Sequence, residues 1–233
     1  MKNLNRENRE FWLERTLKKI PKNSKILDAG AGELQYKKYC GHLKYVAQDF
    51  GQYDGNGNQM GLQTEKWDNS KLDIVSDITR IPVSDKSFDA IMCVEVFEHL
   101  PDPVLAVKEF SRILKKGGSL ILTAPFCSLT HFAPYHFHTG YNRYFYEKIL
   151  PEYGFKIKEI GANGNYFEYM KQETWRLSFM LQNYSTLPYW IFRPFCLLVE
   201  LPMVALLSLM AKHNKGSESL LCFGYHVWAV KVR

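Results

Sequence analysis

The sequence predicts an α/β fold with a seven-stranded, mostly parallel sheet flanked by helices on both sides and a helical insertion between the last two strands. Short apolar runs alternate with segments of helical periodicity along most of the chain, the pattern of a doubly wound sheet with right-handed crossovers. One run, SFDAIMCVEV, is almost continuously apolar, as befits a strand buried on both faces. Between the sixth and seventh strands lie roughly fifty residues, too many for a plain loop.

Residues 5–20 read as an amphipathic helix, with Phe11, Trp12, Leu13, Leu17 and Ile20 on its apolar face and Pro21 at its end. KIL enters a glycine turn, residues 33–40 suit a short helix, and LKYVAQDF is a second strand. Residues 51–69, rich in Gly, Asn and Gln, form a loop able to cover a ligand. LDIVSD and SFDAIMCVEV are the third and fourth strands. Asp102 and Pro103 then start a helix, which Gly117 and Gly118 are expected to stop. SLILTAP is the fifth strand, and a His- and Tyr-rich loop runs from Ser128 to Tyr141. NRYFYEKILPEYGF is a helix and turn, FKIKEIGA the sixth strand, and LLCFGYHVWAVKV the seventh. The chain therefore divides into a main domain, residues 1–164 with 220–233, and an apolar helical insertion, 165–219.

With 46% hydrophobic and 23% charged residues, the 233-residue chain has the profile of a folded protein rather than a disordered one. The net charge of +6 is concentrated early, with eleven Lys/Arg against six Asp/Glu in the first fifty residues. A solvated helix face accounts for that excess, and a meeting with phosphate or an anionic surface is the alternative. Five scattered cysteines without a CxxC pair argue against a disulfide framework or zinc knuckle. No apolar core of a secretory signal is visible near the N-terminus. The expectation is a cytoplasmic protein.

The strongest chemical signal is Asp28-Ala29-Gly30-Ala31-Gly32 directly after the first strand. Glycines there let the backbone turn sharply and approach a ligand, at the strand ends where open α/β sheets bind ligands. Asp49, 21 residues after Asp28, ends the second strand where a carboxylate accepts ribose hydroxyls. A dinucleotide fingerprint wants a third small residue. Here Gln35 occupies that position, and Glu33 would repel a pyrophosphate. A sulfonium ligand, by contrast, tolerates nearby acids.

ILDAGAG, the acid in AQDF, the SDI after the third strand, SFDAIMCVEVFEHLPDP and LKKGGSLILTAPF, in that order, resemble the class I S-adenosylmethionine (SAM)-dependent methyltransferases. The small-molecule branch that includes the UbiE, UbiG and Coq3 types is the most similar. The resemblance implies a Rossmann-like fold, SAM as cofactor and these roles: Asp28, Gly30 and Gly32 around the methionyl part, Asp49 on the ribose with Phe50 beside the adenine, Asp77 and Ile78 at the adenine, and Glu95 beside cofactor or substrate. A turn-capping role is the alternative for Asp77.

Methyl transfer needs alignment and often a base. His131, His136 and His138 lie in the loop after strand five, and an imidazole there could take the acceptor's proton; His136 and His138 are the leading candidates, against a lid role for all three. The run Glu95-Val96-Phe97-Glu98-His99 resembles the metal-binding ExxEH of UbiG/Coq3 and small-RNA 2′-O-methyltransferases, with a distal histidine to complete it. Glu-His after strand four is also widespread in this branch without metal, so no metal is assigned.

No amino-methylation motif, Pro-Cys nucleophile or aromatic-basic stripe points to nucleic acid. The expected acceptor is an oxygen, ahead of a nitrogen, of a small or lipid-linked molecule such as a cell-surface glycan or quinone-type intermediate. The alternatives are a non-catalytic SAM-binding scaffold and, further off, an NAD-dependent oxidoreductase. Residues 187–211 are the most apolar stretch, interrupted by Arg193, Glu200 and three prolines. They offer no run of about 20 apolar residues for a span. Two readings stand for them: a peripheral contact with the inner face of the membrane, or a cap walling an apolar pocket.

Overall fold

The computed structural model describes residues 3–233. Seven strands form one sheet in the order β3-β2-β1-β4-β5-β7-β6. β1 (Lys25–Ala29) lies parallel to β2 (Lys44–Asp49) and β4 (Phe88–Val94), and β5 (Leu114–Pro125) continues parallel beside β4. β3 (Ile74–Val75) is a two-residue edge against the end of β2. β7 (Gly224–Lys231) is antiparallel to β5, with β6 (Phe155–Asn163) beyond it. The central β1 and β4 are buried along almost their whole length, as the apolar runs require.

α1 (Leu4–Leu17) packs on the sheet through Trp12, Leu13 and Leu17, which join Ile26, Met92, Val94 and Ile121 in one cluster. It is capped by Asn3, whose side chain accepts from the Arg6 amide. The helix ends at Leu17 rather than at the proline. Lys19 and Ile20 tighten into bonds with Thr16 and Leu17 before Pro21 forbids another turn. α2 (Pro103–Ile113) starts on the expected cap, with the Asp102 carboxylate accepting from Val104 and Leu105. α3 (Arg143–Glu152) starts on Asn142 in the same way.

Two expectations are corrected. Residues 33–40 form turns and one 3-10 turn, Lys37–Tyr39, not a helix, because Leu34 takes a left-handed conformation (φ 60°) that a helix cannot contain. Gly117 and Gly118 do not stop α2. Leu114 already takes extended backbone, and both glycines lie inside β5. A Cβ on Gly118 would sit 2.9 Å from the Asp89 carbonyl, where the β4–β5 register shifts, so the glycine permits an irregular strand start.

The chain divides into two compact units, residues up to Gly161 with Gly224–Arg233, and Ala162–Phe223. The second contains α4 (Tyr166–Trp175), α5 (Leu177–Tyr184) and α6 (Tyr189–Lys212). α4 opens on a capping box between Asn165 and Glu168. α6 is one continuous helix of 24 residues through Pro194 and Pro202, where the sequence suggested interruption. Each proline removes one hydrogen bond, and both lie on the exposed side of the helix.

Phe110 is fully buried on α2 and Asp102 is that helix's exposed cap. Truncating Phe110→Ala should lower the unfolding free energy by about 3–5 kcal/mol, against about 1 kcal/mol for Asp102→Ala. Urea titration measures both, and a cap variant as costly as the core variant would contradict this packing.

Candidate functional site

The glycine turn is pinned to the neighbouring strand. Gly30 and Ala31 both donate amide hydrogens to the Gln48 carbonyl, at 2.8 and 2.9 Å, and Gly32 donates to Asp49 Oδ2 at 3.0 Å. Gly30 (φ 80°) and Gly32 (φ 50°) sit in the left-handed region. A Cβ on Gly30 would come within 2.4 Å of a Val96 methyl, and one on Gly32 within 2.6 Å of Trp67, so neither position accepts a side chain. The other Asp49 oxygen accepts from Gly51. Each oxygen retains acceptor capacity for a ligand hydroxyl.

Asp28 lies beneath the turn, buried, with Tyr45 donating to its Oδ2 at 2.5 Å. Burial pushes its carboxyl up to about 7, the nearby Asp49 adds to the rise, and the Tyr45 hydroxyl opposes it. Phe50 meets Tyr135 edge-on at 4.9 Å, and Ile78 is buried. Asp77 is exposed, and its Oδ1 accepts from the Thr79 amide and hydroxyl, a turn-capping arrangement.

Glu95 lies just beyond β4 with a left-handed backbone (φ 55°). It accepts from Thr123 and pairs with Arg9 at 2.8 Å. Arg9 also donates to the Tyr36 hydroxyl. Sequence reading missed Arg9. Its signal was there: residue 9 shares the helical spacing of the buried Trp12, Leu13, Thr16 and Leu17, so a cation stood on an apolar face.

Residues 51–69 fold against the histidine loop. Leu62 pairs with His131, Asn58 donates to the Ala133 carbonyl, and Tyr53 stacks on Phe132 at 4.6 Å, with Trp67 against the same ring. The histidine loop is in turn fastened to the turn after β4. Phe137 and His138 donate amides to the Glu98 carbonyl, and Tyr141 donates to that of Phe97.

This fastening gathers Glu98, His99 and His131, whose ligand atoms lie within 4.8 Å of one another. Glu98 is 1% exposed; its Oε1 lies 3.7 Å from His99 Nε2 and 3.9 Å from His131 Nε2, and its Oε2 has no hydrogen-bond partner among the described residues. The Nδ1 of His99 meets the Tyr135 carbonyl at 2.6 Å, and that of His131 meets the Leu129 carbonyl at 2.8 Å. A carbonyl only accepts, so both Nδ1 atoms carry a proton, and both Nε2 atoms face Glu98. Burial pushes the Glu98 carboxyl well above the usual carboxylate range, with Glu95 adding to it, and burial beside His131 holds His99 down to about 3. His136 stacks obliquely on His131 at 4.9 Å and meets Ser128 Oγ at 3.1 Å. His138 lies apart, its Nε2 3.4 Å from the Pro101 carbonyl and its ring near Tyr141. Of the ExxEH carboxylates, Glu98 joins the histidines and Glu95 turns to Arg9.

Comparison with known proteins gives a match of residues 27–122 to the family model described as a methyltransferase domain. Demethylmenaquinone methyltransferase of Staphylococcus carnosus is 26% identical over 173 residues, 71% of this chain and 67% of that protein. Ubiquinone biosynthesis O-methyltransferase of Xanthomonas oryzae pv. oryzae is 49% identical over 37 residues, only 16% of either chain. The structure of a SAM-dependent methyltransferase from Archaeoglobus fulgidus superposes with a TM-score of 0.58 at 17% identity, covering 97% of this chain and 94% of that one.

The raised Asp28 carboxyl fixes a sign. Its folded value lies above the unfolded one, so the folded state holds the extra proton between about 4 and about 7, and stability falls as pH rises through that window. Asp28→Asn should flatten this decline in urea titrations of the ligand-free protein from pH 4.5 to 7.5 (roughly the window's span). An unchanged slope would place the effect elsewhere.

Proposed function

We propose that the protein binds SAM and transfers its methyl group to an oxygen of a small or lipid-linked acceptor, on the support of the methyltransferase-domain match over residues 27–122 and the shared fold. The segment just past the glycine turn carries the choice of ligand. A dinucleotide's pyrophosphate needs a helix N-terminus there. This chain has Glu33, a left-handed Leu34 and a 3-10 turn in its place. Around the turn stand Asp28, Asp49 and Glu95, suited to a ligand with an amino group, a sulfonium and ribose hydroxyls. Arg9, the half-buried cation paired with Glu95, suits the methionyl carboxylate.

The acceptor end is the Glu98–His99–His131 cluster. Its donor set, one carboxylate and two imidazoles with Nδ1 tied to carbonyls, fits a divalent cation, and the orphaned Glu98 Oε2 points the same way. Such a cation would polarise an acceptor hydroxyl toward its oxyanion. The chain's own part is alignment: the turn and Asp49 hold the cofactor, while Tyr53, Trp67 and Phe132 knit the covering loops that exclude water. One relative's name, ubiquinone biosynthesis O-methyltransferase, favours an oxygen acceptor of that chemical class.

Calorimetry should give SAM binding and none for NADH. Asp49→Ala should weaken SAM about ten- to a hundredfold, and Arg9→Ala should weaken it with partial rescue by Arg9→Lys. Failure to bind SAM would overturn the proposal, and binding without turnover on any hydroxyl acceptor would favour a scaffold. With a turnover assay in hand, EDTA and His131→Ala should each abolish activity while sparing SAM affinity. Activity that survives EDTA but not His131→Ala or His136→Ala would assign the histidines to proton removal instead.

A further inference from the structure

Helix α6 has its polarity reversed. Between Trp190 and Met210 every exposed residue is apolar, including Trp190 (85% exposed), Phe195, Leu198 (72%) and Leu206. The only two charged residues in that span turn inward. Glu200 is fully buried, accepts from the Ser178 amide at 2.8 Å and from its hydroxyl, and pairs with Arg193 at 3.3 Å. A helix folded for water shows its charges to solvent and hides its apolar side. This one does the opposite over some 30 Å of length, and soluble monomers rarely expose so extended an apolar surface. Leu177, Phe179 and Met180 on α5 add exposed apolar side chains to the same unit.

We propose that the second unit is a membrane anchor, its apolar α6 face embedded in one leaflet of a phospholipid bilayer. Lipid is favoured over a protein partner because, past the Trp190 indole at its end, the exposed face up to Met210 offers no polar side chain, the half-buried Ser208 hydroxyl being spent on the Val204 carbonyl. Protein interfaces carry about one hydrogen bond per 100–200 Å² and a polar rim, whereas acyl chains ask for neither. Connectivity excludes a single crossing. The chain leaves through β6 and returns through β7, adjacent strands of one sheet, so both ends of the unit lie on one side of the membrane. Among the described residues a second crossing has no candidate, since α6 alone is long and apolar enough and α4 carries Glu168, Lys171 and Glu173. The ends of α6 suit the interface: Tyr189 and Trp190 at one, Lys212 and, just beyond it, Lys215 at the other, the lysines drawn to anionic headgroups. The inference is independent of the methyl-transfer reading, and a membrane location would bring a lipid-linked acceptor within reach.

The test is flotation of the purified full chain with vesicles of phosphatidylcholine alone or mixed with phosphatidylglycerol. The protein should float with both, and more completely with the anionic mixture. The double variant Leu198→Glu/Leu206→Glu should lose vesicle partition at least about tenfold while keeping its circular dichroism and SAM affinity. As a readout on the unaltered fold, acyl chains brominated near the headgroup should quench a fluorescence component that Trp190→Phe removes. Wild-type protein left in the aqueous fraction with both vesicles would overturn the proposal. So would a double variant that floats as well, or a stable wild-type dimer in solution that the double variant dissolves, since a second copy would then cover the face.

Discussion

Two hydrogen bonds, donated by the Gly30 and Ala31 amides to the carbonyl of Gln48, set the position of the glycine turn at the edge of the sheet in the first unit. They force the chain to reverse at the end of β1 while keeping it against β2, and the reversal brings the Gly32 amide onto Asp49. The β1–β2 ladder sets Ala29 opposite Gln48, and these bonds carry that pairing on into the turn. The left-handed glycines are the cost of that closeness, since a Cβ at either would strike Val96 or Trp67. That Trp67 belongs to the covering loop means the same steric requirement also fixes how near the lid approaches.

The sheet was legible because its signals are local and repeated. Apolar runs with Asp102 and Pro103 between them fix strand, cap and helix within a few residues. What escaped were places where one residue's backbone overrides a neighbourhood. Leu34 breaks the expected helix by a single left-handed conformation, and Leu114 turns extended three residues before the glycines that looked like the stop. Pro194 and Pro202 misled in the other direction, because a proline on the open side of a long helix removes one bond without ending it.

The two ends of the candidate site differ in legibility for a related reason. Its cofactor side is made of strand ends, whose order is set by topology, so Asp49 could be named from position, and Asp28 and Glu95 from the family resemblance. The acceptor side is made of loops whose meeting depends on long-range backbone bonds. Nothing in the spacing of His131, His136 and His138 says that the Glu98 carbonyl captures the amides of Phe137 and His138, leaving His138 near Pro101 while His131 faces Glu98. Arg9 escaped because a basic residue near a charged N-terminus reads as solvated, and only its helical register with Trp12 and Leu13 says otherwise.

Buried carboxylates separate structure from function in this chain. Glu109 is met by the Ile81 amide and by Arg112, and Glu200 by Ser178 and Arg193, so each is satisfied by donors from its own surroundings. A carboxylate so matched locks packing and has nothing left to offer a ligand. Asp28 and Glu98 are buried to the same degree but under-matched. Asp28 has the Tyr45 hydroxyl and the repulsion of Asp49, and Glu98 has two imidazole nitrogens at 3.7 and 3.9 Å and one oxygen without a donor among the described residues. Since an unmatched buried acid is destabilising, a cation would relieve both sites, and that is the basis for the proposed sulfonium and ammonium beside Asp28 and the proposed divalent ion beside Glu98. The same reasoning applied to α6 runs from polar to apolar. With Arg193 and Glu200 already matched inside, the outer face has no unmet polar demand, and the medium it suits is one that makes none.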